Sequence, residues 1–133
     1  MSDKQFLELP YGKDDFPLLR EGNCYFVDKT PYLKTVFTDQ SAVMLFTRPR
    51  RFGKTLLISM FDSFLKINPE KPFDTSKQLE LFKGTKILED KEFCDKFMGQ
   101  CPVITITLKK VDGTNFKEFY ESFASAVYDV ALR

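Results

Sequence analysis

The segment from Ala42 to Leu65 constrains the fold more than any other. "AVMLF" (Ala42 to Phe46) is a continuous apolar run, the pattern of a strand buried on both faces, as in a parallel sheet covered by helices. "TRPRRFG" follows as a loop. From Lys54 onward Leu57, Met60, Phe61, Phe64 and Leu65 form one apolar stripe at helical period. A helix is therefore predicted from Lys54 to about Ile67, ended by "NPEKP".

The flanking sequence extends this alternation. "LPYGKDDF" is turn-rich and "CYFV" (Cys24 to Val27) is a short β-prone run. Thr30-Pro31 announces a helix, with Thr30 as its cap and Pro31 at its first position. Leu79 and Phe82 pair on a later helix capped by Gly84, and Phe93 and Phe97 on the next, ended by Gly99. "VITITL" after Pro102 reads as a second strand. "KKVDGTN" is a turn, and Phe116, Phe119, Tyr120, Phe123, Ala124 and Val127 mark a final amphipathic helix. Alternating strands and helices predict an α/β fold with three α/β/α layers and a mainly parallel sheet. The chain reads as a single domain, 1–133, with residues 1–30 as an irregular lead-in.

Composition excludes several chemistries. The chain has no histidine, which removes every His-dependent triad and any histidine general base. Its three cysteines, Cys24, Cys94 and Cys101, form no CxxC pair and read as reduced, packed thiols. No apolar run approaches the roughly 20 residues of a membrane helix, and the N-terminus has no signal-peptide core. A cytoplasmic protein without a membrane span is expected. The acid pairs Asp14-Asp15 and Glu89-Asp90 read as loop or helix-start residues.

Net charge is only +1, but Arg48, Arg50, Arg51 and Lys54 fall within seven residues with no acid among them. They surround Gly53-Lys54-Thr55, which sits between the apolar run and the helix in the order of a phosphate-binding loop. Helix N-termini leave N–H groups unpaired and carry partial positive charge, so they hold phosphate oxygens. In such a loop the lysine reaches the outer phosphates and the threonine hydroxyl binds Mg²⁺. The usual first glycine, five residues before Gly53, is here Arg48. Arginine serves there if its φ is negative, while Pro49 stiffens the turn and removes one donor. Arg50 and Arg51 can compensate with charge. The other readings are a basic surface turn before an ordinary core helix, a scaffold, or a nucleic-acid-binding module using Arg48, Arg50, Arg51, Lys54 and also Lys109 and Lys110.

Two stretches, "FTRPRRFGKTLLISM" (Phe46 to Met60) and "YFVDKTPYL" (Tyr25 to Leu33), together with "CPVITITLKKV", resemble the AAA-ATPase-like P-loop proteins. That family is common in bacteria and is often fused to a restriction-endonuclease-like nuclease domain. The likeness runs from about Leu9 to the end, and the family's loop also lacks the first glycine. It implies ATP binding with Mg²⁺ through Arg48, Pro49, Arg50, Arg51, Phe52, Gly53, Lys54, Thr55 and Leu56, with Thr55 on the metal. Asp28 and Lys29 match the family's other motif. They lie either near the base or ribose, or at a solvated helix start. No apolar run ends in Asp-Glu, and family order places that acidic strand beyond Arg133. The chain thus resembles the N-terminal part of such a domain, with hydrolysis expected to be weak or absent. Self-association through exposed sheet edges, or cover of those edges by the chain's own N-terminal segment, is also expected.

Overall fold

The computed structural model describes residues 7–109 and 111–131. It divides into two compact units, Met1–Cys101 and Pro102–Arg133.

The first unit is helical. Its elements are α1 (Phe16–Glu21), α2 (Pro31–Thr38), α3 (Lys54–Leu65), α4 (Ser76–Leu81), a 3₁₀ turn (Lys86–Glu89) and α5 (Lys91–Phe97). Asp15 starts α1: its Oδ1 accepts from Leu18 N–H at 3.1 Å, satisfying one orphan amide. Its Oδ2 accepts from Ser59 Oγ at 3.1 Å, and that Oγ accepts from Phe16 N–H at 2.9 Å, so the cap also fixes α1 on α3. Asp90 caps α5 through Phe93 N–H. One acid of each pair, Asp15 and Asp90, is thus a helix-start residue, in keeping with the sequence context.

Phenylalanine builds the core. Phe16, Phe64 and Phe82 are fully buried. Phe82 lies 4.7 Å from Phe16 and 5.2 Å from Phe64, centroid to centroid. Phe64 continues to Phe93 and Phe93 to Phe97, with Phe37 against both of the latter rings. Such offset and edge contacts add to the area each ring buries. The stripe predicted on α3 faces this core, with Met60, Phe64 and Leu65 buried and Leu57 and Phe61 half-buried. The end of α3 is closed from outside: Gly99 N–H donates to Phe64 O and Cys101 N–H to Leu65 O, each at 2.9 Å, satisfying carbonyls that no helical turn can reach. Arg20 does the same beyond α4, its Nε and Nη2 donating to Leu81 O and Lys83 O at 2.8 and 2.5 Å. The three cysteines are free thiols.

The second unit holds α6 (Phe116–Ala131). Asn115 Oδ1 accepts from Glu118 N–H at 3.0 Å, and Glu118 Oε2 accepts from Thr114 N–H and Oγ1, a reciprocal cap on the first turn.

The expected three-layer α/β/α fold with a mainly parallel sheet is overturned. No named strand occurs among the described residues, and the β-pairing consists of two isolated parallel bridges, Glu8 with Cys24 and Lys66 with Cys101. The "AVMLF" run forms no ladder, with Val43 83% and Leu45 85% exposed. "VITITL" is also unladdered, with Ile104 and Leu108 exposed. β-Propensity is realised through packing against neighbouring strands. An apolar run signals that it suits a sheet without supplying the neighbours. The sheet edges invoked for self-association are accordingly not found among the described residues.

Two smaller corrections concern helix faces. Leu79 is half-exposed, while Gln78, Leu81 and Phe82 point inward. The helix ends at Leu81, and Gln78 is drawn in because its Nε2 donates to Lys66 O at 3.1 Å. Thr30 makes no side-chain cap bond to α2; its hydroxyl is used elsewhere, as described below.

Candidate functional site

The loop before α3 reverses the chain through left-handed backbone. Arg51 has φ +66° and Gly53 φ +75°, whereas Phe52 between them does not have positive φ. Alternating signs of φ are the backbone pattern in which successive N–H groups can turn toward one side. Gly53 forms the N-cap of α3, a position where its missing Cβ removes the left-handed penalty. The first bond into the helix is Leu57 N–H to Gly53 O at 2.9 Å. The amides of Lys54, Thr55 and Leu56 precede that closed turn and have no intrahelical acceptor.

The Lys54 amine folds back over this loop. It donates to Arg48 O and, at 3.4 Å, to Pro49 O. Arg48, Phe52, Gly53 and Lys54 line a cavity of about 240 Å³, joined by Lys29, Tyr32, Phe46 and Leu57. Of the other predicted contacts, Pro49 gives only its carbonyl. Arg50, Arg51 and Thr55 are solvent-exposed and Leu56 is half-buried, and none of these five lines the cavity. Lys109 is exposed in the second unit; Lys110 lies outside the described residues.

The Asp-Lys-Thr stretch has a divided role. Asp28 Oδ1 accepts from Thr30 N–H at 2.9 Å and Thr30 Oγ1 at 2.7 Å, and Oδ2 accepts from Lys86 N–H at 2.8 Å. Thr30, fully buried, also accepts from Ile87 N–H at 3.2 Å. These bonds tie the start of α2 to the 3₁₀ turn. Burial pushes the Asp28 carboxyl up, but the N–H of Lys86 and the hydroxyl and N–H of Thr30 together outweigh it and hold the group below its ordinary value. Asp28 is thus a structural clamp. Lys29 instead faces the loop, its Nζ 3.3 Å from where a Cβ on Gly53 would sit. Sequence singled out both residues without separating these roles, and Tyr32 gave no signal beyond its place on α2.

A larger hollow of about 850 Å³ lies between α2 and the segment from the 3₁₀ turn into α5. It shares no lining residue with the loop, and its Lys34 is paired with Asp90. Among the described residues no group of three or more Cys, Asp or Glu side chains could hold a metal ion. No described helix is long and apolar enough to cross a membrane.

Lys54 thus stands at the start of α3, beside a left-handed glycine and in a hollow with aromatic walls. The family model described as a predicted AAA-ATPase matches residues 10–132, and the chain belongs to this AAA-ATPase-like family. No curated protein and no solved structure matches it.

Proposed function

We propose that the chain binds ATP with Mg²⁺ through residues Arg48 to Leu56. The observation that carries this reading is the Lys54 amine held over the loop that Gly53 turns into α3, in one hollow with Lys29 and three aromatic rings. Phosphate oxygens take over the Lys54 hydrogens now given to the Arg48 and Pro49 carbonyls, and the free amides at the start of α3 add donors. Tyr32, Phe46 and Phe52 offer faces for the base. Mg²⁺ needs oxygen ligands and commonly takes them from substrate phosphates and one or two protein groups. Thr55 is the hydroxyl in this loop suited to that part, and the ion neutralises phosphate charge when bound. The segment Arg48 to Leu56 contains no carboxylate, so it binds and positions without activating water, and hydrolysis through this loop alone is slow.

The test is calorimetric titration of ATP·Mg²⁺ into the wild type and Lys54→Ala. Saturable binding that the variant loses supports the reading; equal binding by both, or none by either, overturns it. A second reading uses Arg50 and Arg51, exposed and outside the cavity, as nucleic-acid phosphate contacts. Oligonucleotide affinity falling steeply with salt would favour it.

A further inference from the structure

We infer that Lys29 is a second phosphate-contacting cation, which makes the site selective for a nucleoside triphosphate over a monophosphate. This rests on the reading of the loop as a nucleotide site and adds a residue from outside it.

Lys29 lines the hollow from a different element of the chain. It precedes α2, while Gly53 and Lys54 begin α3. Its backbone is fixed on both sides, because Asp28 and Thr30 are bonded to each other and to the amides of Lys86 and Ile87. That clamp leaves the Lys29 side chain to extend over the loop, where its Nζ stands 3.3 Å from the Cβ position of Gly53. The side chain lines the same cavity as Lys54 and Arg48. Among the described residues no carboxylate or carbonyl accepts from this ammonium; Lys54, by contrast, is occupied by loop carbonyls. A cation on a half-buried side chain, with no counter-charge among the described residues, attracts an anion. Two ammonium groups reaching one hollow from two elements suit a chain of phosphates better than a single one, since one phosphate already meets the loop amides and Lys54. The absent Cβ at Gly53 is needed for its left-handed φ, and it also leaves room for the Lys29 amine without displacing it.

The experiment titrates ATP and AMP, each with Mg²⁺, into wild type, Lys29→Ala, Lys29→Arg and Lys54→Ala, with melting temperatures to establish that each variant is folded. Expected are a loss of about 10- to 100-fold in ATP affinity for Lys29→Ala, a much smaller change for AMP, and partial recovery in Lys29→Arg. If the wild type binds ATP and Lys54→Ala does not, but Lys29→Ala keeps the wild-type preference for ATP over AMP, the role of Lys29 is overturned and the loop reading stands. If the wild type binds neither nucleotide, the loop reading itself is overturned, and the role of Lys29 with it.

Discussion

The carboxylate of Asp28 accepts a hydrogen bond from the backbone amide of Lys86 at 2.8 Å, joining the start of α2 to the 3₁₀ turn far along the chain. Three donors converge on this one side chain. Replacing it with alanine takes the acceptor from the amide and hydroxyl of buried Thr30 and leaves the exposed amide of Lys86 to water. Asp28→Ala is expected to lose about 1–3 kcal/mol of stability by urea denaturation. A variant as stable as wild type would show that the clamp contributes nothing.

The same group sets a pH dependence. Its folded pKa lies below the ordinary carboxyl value of 3.8, so the folded state holds fewer protons than the unfolded state as the group titrates. A depressed carboxyl contributes stability that is fully present above the unfolded pKa and lost as pH falls through the folded one. Asp90 acts in the same direction, held down first by the Lys34 ammonium and then by Phe93 N–H. The urea midpoint of wild type should therefore fall as pH drops below 3.8, and Asp28→Ala should show a shallower fall. Parallel curves for the two proteins would remove Asp28 from the account.

Within the aromatic core, Phe82 touches both Phe16 and Phe64. Phe82→Ala opens a cavity that helices anchored elsewhere cannot fill, and a loss of about 3–5 kcal/mol is expected. Leu79, half-exposed on the neighbouring turn, is its control: Leu79→Ala should stay within about 0.5 kcal/mol of wild type. Equal losses at the two sites in thermal denaturation would contradict the burial described.

The loop makes an opposite pair of predictions at its two left-handed positions. Gly53→Ala places a Cβ at φ +75° and 3.3 Å from Lys29 Nζ, and should cost about 1–2 kcal/mol together with nucleotide binding. Arg51→Gly relieves a side chain held at φ +66° and should leave stability within about 1 kcal/mol of wild type. Loss of stability in Arg51→Gly as large as in Gly53→Ala would mean that the backbone handedness of the loop does not set these effects.

What could be read in advance followed the reach of the signal. The stripe on α3 was legible because helical period alone decides which side chains share a face, and the same holds for Phe93 and Phe97 on α5. The start of α3 at Lys54 was legible from the glycine before it. The sheet was not: an unbroken apolar run such as Val43 to Phe46 reports suitability for pairing, and pairing needs a neighbour that no local pattern names. Leu79 and Gln78 exchanged places because α4 ends within two turns, and one amide bond to Lys66 O outweighed hydropathy there. Of the predicted site, Arg48, Phe52, Gly53 and Lys54 come together around one cavity, while Arg50, Arg51, Thr55 and Leu56 do not line it. The approach of Lys29 to Gly53 depends on the clamp at Asp28 and Thr30, whose partners at Lys86 and Ile87 leave no trace in local spacing.

The folded-back Lys54 side chain has one more consequence on the proposed reading. An idle loop whose ammonium is already bonded to main-chain oxygens keeps its charge but has fewer free hydrogens to offer passing small anions. A visitor must outbid two internal acceptors at once, so discrimination begins with the bond that has to be given up before any new one is made.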